Sequence, residues 1–185
     1  MKILIVVLSA LAMLIGAVPA IAIDVGPAVG RKIPALSVED SSGQARTLAS
    51  LAGPNGAVLV FFRSAKWCPY CQAQLISLNA APAQLAKRGY TLAAISYDPV
   101  DVLAKFAQDR SVPYPLLSDK GSKTIAAFGI RDPQYAADSF AYGVPRPVIF
   151  IVAPNGTIRA KLAEEDYKTR PSLDAILAAI DSAGK

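Results

Sequence analysis

Two cysteines occur in this chain of 185 residues, three positions apart in Trp67-Cys68-Pro69-Tyr70-Cys71. At that spacing a dithiol can close into a disulfide within one helical turn and open again. The apolar run Ala57-Val58-Leu59-Val60-Phe61-Phe62 just upstream reads as a buried strand, and the stretch after Cys71 reads as a helix. A Cys-x-x-Cys between a buried strand and a helix stands in the context of a redox motif. Other uses of two cysteines fit less well. A structural zinc site takes four ligands, usually Cys and His, and the chain has no histidine and no third cysteine. Covalent haem attachment requires His directly after the second Cys, where Gln72 stands. A static disulfide of this span closes a loop too short to restrain the unfolded chain appreciably. The pair is therefore read as redox-active, with no metal and no cofactor beyond its own disulfide.

The attacking species in such chemistry is a thiolate. Cys68 is placed to cap the following helix, with Pro69 at the first helical position, where its missing N–H costs nothing. Free amides and the helix dipole at that end favour a negative sulfur, and Lys66 and Arg63 are near in sequence. Cys68 is thus expected to be the attacking thiol at the helix entrance. Cys71, a turn further in and more buried, suits the resolving thiol that attacks the mixed disulfide from within. The absence of histidine excludes a Cys–His pair. Asp98, at the end of the next strand, is a candidate proton relay; the alternative is that it caps the helix after it. Trp67 and Tyr70 flank the thiols and offer an apolar docking rim, or ordinary packing.

The elements that must position these residues follow from periodicity. Residues 24–35 form a Gly/Pro/Val-rich leader, and residues 36–48 read as a hairpin around Ser41-Ser42-Gly43. After the strand at 57–63, Leu75, Leu78, Ala81, Leu85 and Ala86 recur at helical spacing, interrupted by Pro82, which kinks or restarts the helix. Residues 91–96 form a second buried strand. A helix follows Asp98-Pro99, a short strand covers 114–117, and a short helix covers 124–128, ended by Gly129. Residues 130–146 read as an inserted loop whose Tyr and Phe residues either cover the site or simply pack. Residues 148–153 and 157–162 pair across the turn Pro154-Asn155-Gly156, and residues 172–182 form a closing helix. The order implies an α/β fold with a central mixed sheet flanked by helices.

The chain start is distinct. Lys2 precedes a charge-free run from Ile3 to Ile23 that contains the small-x-small signal Ala20-Ile21-Ala22. Residues 1–22 read as a secretory signal peptide, with an uncleaved membrane anchor as the alternative, and residues 26–183 as the folded domain. Either way the domain is expected outside the cytoplasm, periplasmic or secreted, where a disulfide persists. Removing residues 1–22 takes away Lys2 and no acid, which lowers the net charge from +5 to +4. The basic residues are scattered, so nothing calls for nucleic acid.

Together these residues resemble the thioredoxin-like superfamily in its peroxiredoxin-type branch, the redoxin domain. Gly30-x-x-x-Pro34, followed by Asp40, Gly43, Leu48 and Leu51, resembles the opening of that domain, an N-terminal hairpin extension. Phe61 to Cys68 resembles its active-site strand and loop. Ile95-Ser96-x-Asp98, Phe106, Pro115-Leu116-Leu117-Ser118-Asp119 and Phe128-Gly129 are similar to its middle segment. Pro147-x-x-Phe150-Ile151 and Pro154-Asn155-Gly156 resemble its last hairpin. The peroxiredoxin loop Pro-x-x-x-Thr-x-x-Cys is not kept. With Cys71 in the peroxidatic place, Cys68 replaces Thr and Ser64 replaces Pro; with Cys68 there, Phe61 and Ala65 stand at those positions. The position of the peroxiredoxin Arg looks like Pro147, with Arg146 before it. Pro147 also resembles the cis-proline that faces the dithiol in thioredoxins, so a cis Arg146–Pro147 bond against the sulfurs is expected.

The resemblance implies a thiol-dependent oxidoreductase that uses Cys68 and Cys71 on disulfides or peroxides. Trp67, Pro69, Tyr70, Arg146 and Pro147 would position the substrate, and an external electron donor would complete the cycle. The alternatives are a thiol peroxidase that forms a sulfenic acid resolved by the other cysteine, and a non-catalytic binding module of the same fold.

Overall fold

The protein is described by a computed structural model covering residues 24–184. The expected leader, residues 1–22, lies outside the described residues.

A sheet hairpin opens the fold, with β1 (Val38–Glu39) antiparallel to β2 (Ala45–Arg46). A one-turn helix not foreseen in the sequence follows, α1 (Leu48–Leu51), closed by a reciprocal capping box between Thr47 and Ser50. β3 (Gly56–Phe61) is buried throughout and leads into α2 (Pro69–Ser77). The expected break at Pro82 is present. α2 gives way to a 3₁₀ turn at Leu78–Ala80, and α3 (Ala81–Ala86) restarts with the proline in its first turn. The Tyr114 hydroxyl donates to the Leu75 carbonyl near this break, at 2.6 Å. β4 (Tyr90–Ser96), α4 (Val100–Asp109), β5 (Leu116–Ser118) and α5 (Lys123–Ala127) come next. β6 (Val148–Val152), β7 (Ile158–Leu162) and α6 (Leu173–Ala183) finish the chain.

The strands form one mixed sheet in the order β2-β1-β5-β4-β3-β6-β7. β3, β4 and β5 run parallel, while β6 lies antiparallel on the other side of β3. Alternation along β3 divides the core in two. Val58 and Val60 point to a layer with Leu75, Leu85, Leu103 and Ile176 from four helices. Ala57, Leu59 and Phe61 point to the other, with Val38, Ile125, Phe128 and Phe150. Both faces are covered, so β3 carries an unbroken apolar run. The close β3–β6 approach needs Gly56, at φ +132°, because a Cβ there would collide with the Val152 carbonyl. The result is a rigid strand whose C-terminal end delivers residues 62–68 to the entrance of α2.

Residues 130–146 are the expected loop. Their base is stapled by the Asp132 amide donating to the Val144 carbonyl (2.8 Å) and the Arg146 amide donating to the Ile130 carbonyl (2.7 Å).

Candidate active site

Cys68 and Cys71 are joined as a disulfide, with their Cα atoms 5.3 Å apart. Cys68 is the N-cap of α2 in extended backbone, and its sulfur accepts from the Cys71 amide at 3.3 Å, with Pro69 in the first turn. This is the local arrangement expected from the sequence. Burial differs from expectation at Cys68. Cys71 is fully buried, but Cys68 is also only 2% exposed, because it packs in the same core layer as Phe62, Ala65 and Leu75, with Trp67 against it.

The loop before the dithiol hangs on one carboxylate. Asp98 is buried and accepts from the Ala65 amide (2.7 Å), the Ser64 hydroxyl (2.8 Å) and the Ser96 hydroxyl (3.0 Å). Ser64 Oγ in turn accepts from the amides of Lys66 (3.0 Å) and Trp67 (3.4 Å). Gln72 Nε2 closes the loop onto α2 by donating to the Ala65 carbonyl at 2.7 Å. Asp98 is not a helix cap, since Pro99 holds that position of α4 with no side-chain bond. Burial pushes its carboxyl above the usual range, against the opposing effect of these donors.

Two arginines also belong to the site. Arg170 Nη2 is 3.7 Å from Cys71 Sγ. Burial, and then the charge of Arg63, push Arg170 down to about 10. The Arg63 guanidinium lies against the rings of Tyr167 (4.4 Å), Tyr135 (5.1 Å) and Trp67 (5.3 Å) and donates to the Tyr135 hydroxyl. It thereby joins the dithiol loop, the 130–146 loop and the segment between β7 and α6. Edge-on contacts extend this assembly, with Phe140 on Trp67 (5.5 Å) and Tyr70 against Tyr167 (6.2 Å). Trp67 Nε1 donates to the Tyr97 hydroxyl at 3.0 Å. Trp67 is therefore both part of the rim and packed, whereas Tyr70 is exposed.

One expectation is corrected here. The described residues contain no cis peptide bond, so Arg146–Pro147 is trans. The Arg146 amide is committed to the Ile130 carbonyl and Pro145 bridges Arg131, which holds the segment extended with the bond in the form most X–Pro bonds adopt. The arginine within reach of a sulfur is Arg170, which the sequence did not single out. Pro147 does line a cavity of about 10 Å³ with Gln74, Thr169 and Arg170, next to the dithiol. Arg146 and Pro147 also line a groove of about 360 Å³ with Asp132 and Glu164.

Comparison with known proteins decides the family. Residues 29–161 match the AhpC/TSA family. The chain belongs to that family. A putative peroxiredoxin of Mycobacterium tuberculosis (strain CDC 1551 / Oshkosh) is 32% identical over 102 residues, 55% of this chain and 66% of that protein, just under two thirds of its length. The thiol-disulfide oxidoreductase ResA of Bacillus thuringiensis (strain Al Hakam) is 24% identical over 141 residues, 76% of this chain and 72% of ResA. The crystal structure of peroxidoxin BcpB from Mycobacterium tuberculosis superposes with a TM-score of 0.68 at 24% identity, covering 84% of this chain and 96% of that one, a likeness of fold. The peroxiredoxin-type, thioredoxin-like fold expected from the sequence is thus the fold observed.

Within this AhpC/TSA frame, several site residues escaped sequence reading. Arg170 and Tyr167 lie in the irregular segment after β7, far from the dithiol in sequence, and no motif marks them. Ser64 was visible only as a departure from a motif proline. The sequence shows Arg63 as a charge near Cys68; its burial against rings follows from its place directly after an unbroken buried run, since a charge there must meet a partner or a ring.

Proposed function

We propose that this protein is an extracytoplasmic dithiol–disulfide oxidoreductase in which Cys68 attacks and Cys71 resolves. The observation that carries the reading is the Cys68–Cys71 disulfide closed across the first turn of α2. In the reduced protein the Cys68 thiolate attacks a substrate disulfide and expels one substrate thiol; Cys71, one turn away, then attacks Cys68 Sγ, which closes this disulfide and expels the second substrate thiol. The N-cap position favours negative charge on Cys68, and Arg170 stands by to take up negative charge on Cys71. The missing Thr and Pro of the peroxiredoxin loop support disulfide exchange over peroxide reduction. Trp67 and Tyr70 would form the rim on which a protein thiol or disulfide docks, with Pro69 fixing the helix start. The leader in residues 1–22 supports an oxidising compartment, where N-terminal sequencing of exported protein should begin at or near Ile23.

A second reading, thiol peroxidase, draws on the cavity of about 10 Å³ lined by Arg170, Gln74 and Pro147, room for about one water-sized species. Stopped-flow oxidation of the reduced protein separates the two. Trp67 is the single tryptophan, so its fluorescence reports the dithiol state. Faster oxidation by 2-hydroxyethyl disulfide than by hydrogen peroxide, each scaled to its rate with free dithiothreitol, is expected. The reverse order would establish the peroxidase.

A further inference from the structure

The positive charge beside the sulfurs exceeds what the dithiol alone requires. Arg63 is only 2% exposed. Its Nε is buried with no hydrogen-bond partner, and the same holds for Nε of Arg170. Arg170 Nη1 reaches only the Thr169 carbonyl, at 3.0 Å, and Nη2 reaches the uncharged disulfide sulfur of Cys71. Neither arginine is among the ion pairs of the described residues. The two share one neighbourhood: the Tyr167 ring, 4.4 Å from the Arg63 guanidinium, lines the same small cavity as Arg170, and the charge of Arg63 adds to burial in depressing Arg170. The carboxylate that weighs the other way, Asp166, is exposed and accepts from the Lys168 amide at 2.9 Å. Burying a guanidinium is costly unless a counter-charge meets it, and contact with aromatic rings offsets that cost only in part. Reduction of the disulfide supplies at most one thiolate at this place, and Glu164, which lines the same small cavity as Arg170, forms no ion pair with either arginine among the described residues.

We infer that Arg170, backed by the charge of the enclosed Arg63, forms a binding site for the carboxylate of an acidic, low-molecular-weight disulfide, a substrate whose negative charge lies a few bonds from its S–S. This deepens the disulfide-exchange reading and rests on it. Arg63 is enclosed by its rings, so the contact falls to Arg170, which is only partly buried; its planar guanidinium matches a carboxylate in geometry as well as charge. The carboxylate sits at Arg170 while the substrate S–S meets Cys68, one helical turn from Cys71. The Cys68 thiolate attacks one substrate sulfur, the substrate S–S breaks, and the first acidic thiol leaves. Cys71 then attacks Cys68 Sγ, the mixed disulfide breaks, and the second acidic thiol leaves. The substrate gains two electrons, the dithiol loses them, and the two protons of the protein thiols end on the two released thiols.

A charge series tests the site. The reduced protein is oxidised by dithiodiglycolate (dianion), 2-hydroxyethyl disulfide (neutral) and cystamine (dication), each rate being divided by that with free dithiothreitol. The expected order is anion above neutral by about tenfold or more, the factor that accompanies one well-placed charge-assisted contact, with the cation lowest. The anion's advantage should shrink as salt rises. Arg170→Gln and Arg63→Gln should collapse the anion-to-neutral ratio toward one. Lys87→Gln removes the same charge from the exposed loop before β4, at the far end of the parallel strands, and should keep the ratio. If Arg63→Gln does not fold, Arg170→Gln and the salt dependence of the natural protein still decide. Equal normalised rates, a ratio that survives Arg170→Gln, or a ratio lost equally in Lys87→Gln would overturn the anion site. If no disulfide oxidises the dithiol at all, the disulfide-exchange reading itself fails.

Discussion

Asp98 and the pair Arg63–Arg170 are charges set around the same dithiol, Asp98 and Arg63 buried and Arg170 partly so, and the protein treats them in opposite ways. Asp98 is saturated. Three donors point at its carboxylate, and Ser64 extends its reach to the amides of Lys66 and Trp67. The arginines are not. Each keeps a buried Nε without a partner, and no carboxylate pairs with either among the described residues. A saturated buried charge fixes geometry, because each bond would be expensive to lose. An unsaturated one holds back interaction energy until an anion arrives. The loop side of the site is thus a scaffold, and the arginine side is the one proposed to meet an anion.

The largest expected effect breaks the scaffold. Asp98→Ala leaves the Ser64, Ser96 and Ala65 donors without an acceptor and should cost about 3 kcal/mol of stability, in line with the loss of a buried charged network. Arg170→Met removes a charge that is paid for by no ion pair and should be neutral or slightly stabilising. Urea unfolding followed by Trp67 fluorescence measures both. A large loss for Arg170→Met with none for Asp98→Ala would invert the comparison.

Reactivity should show the opposite ranking. In the reduced protein, Arg170→Gln should slow alkylation of the dithiol at neutral pH by about tenfold, a change of about 1.4 kcal/mol for one lost charge contact. At limiting reagent, label should appear first on Cys68, read by peptide mapping. First labelling of Cys71 would exchange the roles of the two thiols.

The fold was legible in the sequence to the extent that its signals are local. The apolar run at 57–62, the helical spacing broken at Pro82 and the turn at Pro154-Asn155-Gly156 each specify an element through nearby residues. The α1 turn was missed because four residues carry no period, although the Thr47–Ser50 cap was there to read. The dithiol at the start of α2 was legible for the same local reason. Its electrostatics were not, because they come from long-range packing. Asp98 lies 34 residues from Ser64, and Arg170 lies 99 residues from Cys71. Nothing local marks Arg170 as the arginine that reaches a sulfur.

Titration sharpens the contrast further. Burial raises the Asp98 carboxyl above its ordinary value of 3.8. The folded state therefore holds that proton more tightly than the unfolded chain. The stability linked to it is fully present below the ordinary value and is lost as pH rises through the elevated one. Asp98→Asn cannot titrate, so the stability gap between the natural protein and the variant should narrow as pH increases across that window. Asp119 is also raised by burial, but it is present in both proteins and cancels in the difference. A gap that widens with pH would mean that the carboxylate form is the better-held one.

The smallest effect concerns the outer edge of the aromatic assembly. Phe140 is 78% exposed, with its ring edge-on to Trp67 at 5.5 Å and to Tyr135 at 6.4 Å. Were it the strut that holds the 130–146 loop over the site, its removal would release the loop. The contacts argue otherwise. Tyr135 stacks on the buried Arg63 and bonds to it, and the loop base is stapled by the Asp132 and Arg146 amides. Phe140→Ala should therefore change stability by no more than about 0.5 kcal/mol, as for most exposed positions, and should only modestly increase acrylamide quenching of Trp67. A loss above about 1.5 kcal/mol, the scale of a truncated buried side chain, would mean that the loop is pinned at its tip. Arg63 would then be a passenger in the aromatic cluster, free to turn toward an anion without disturbing what covers the dithiol.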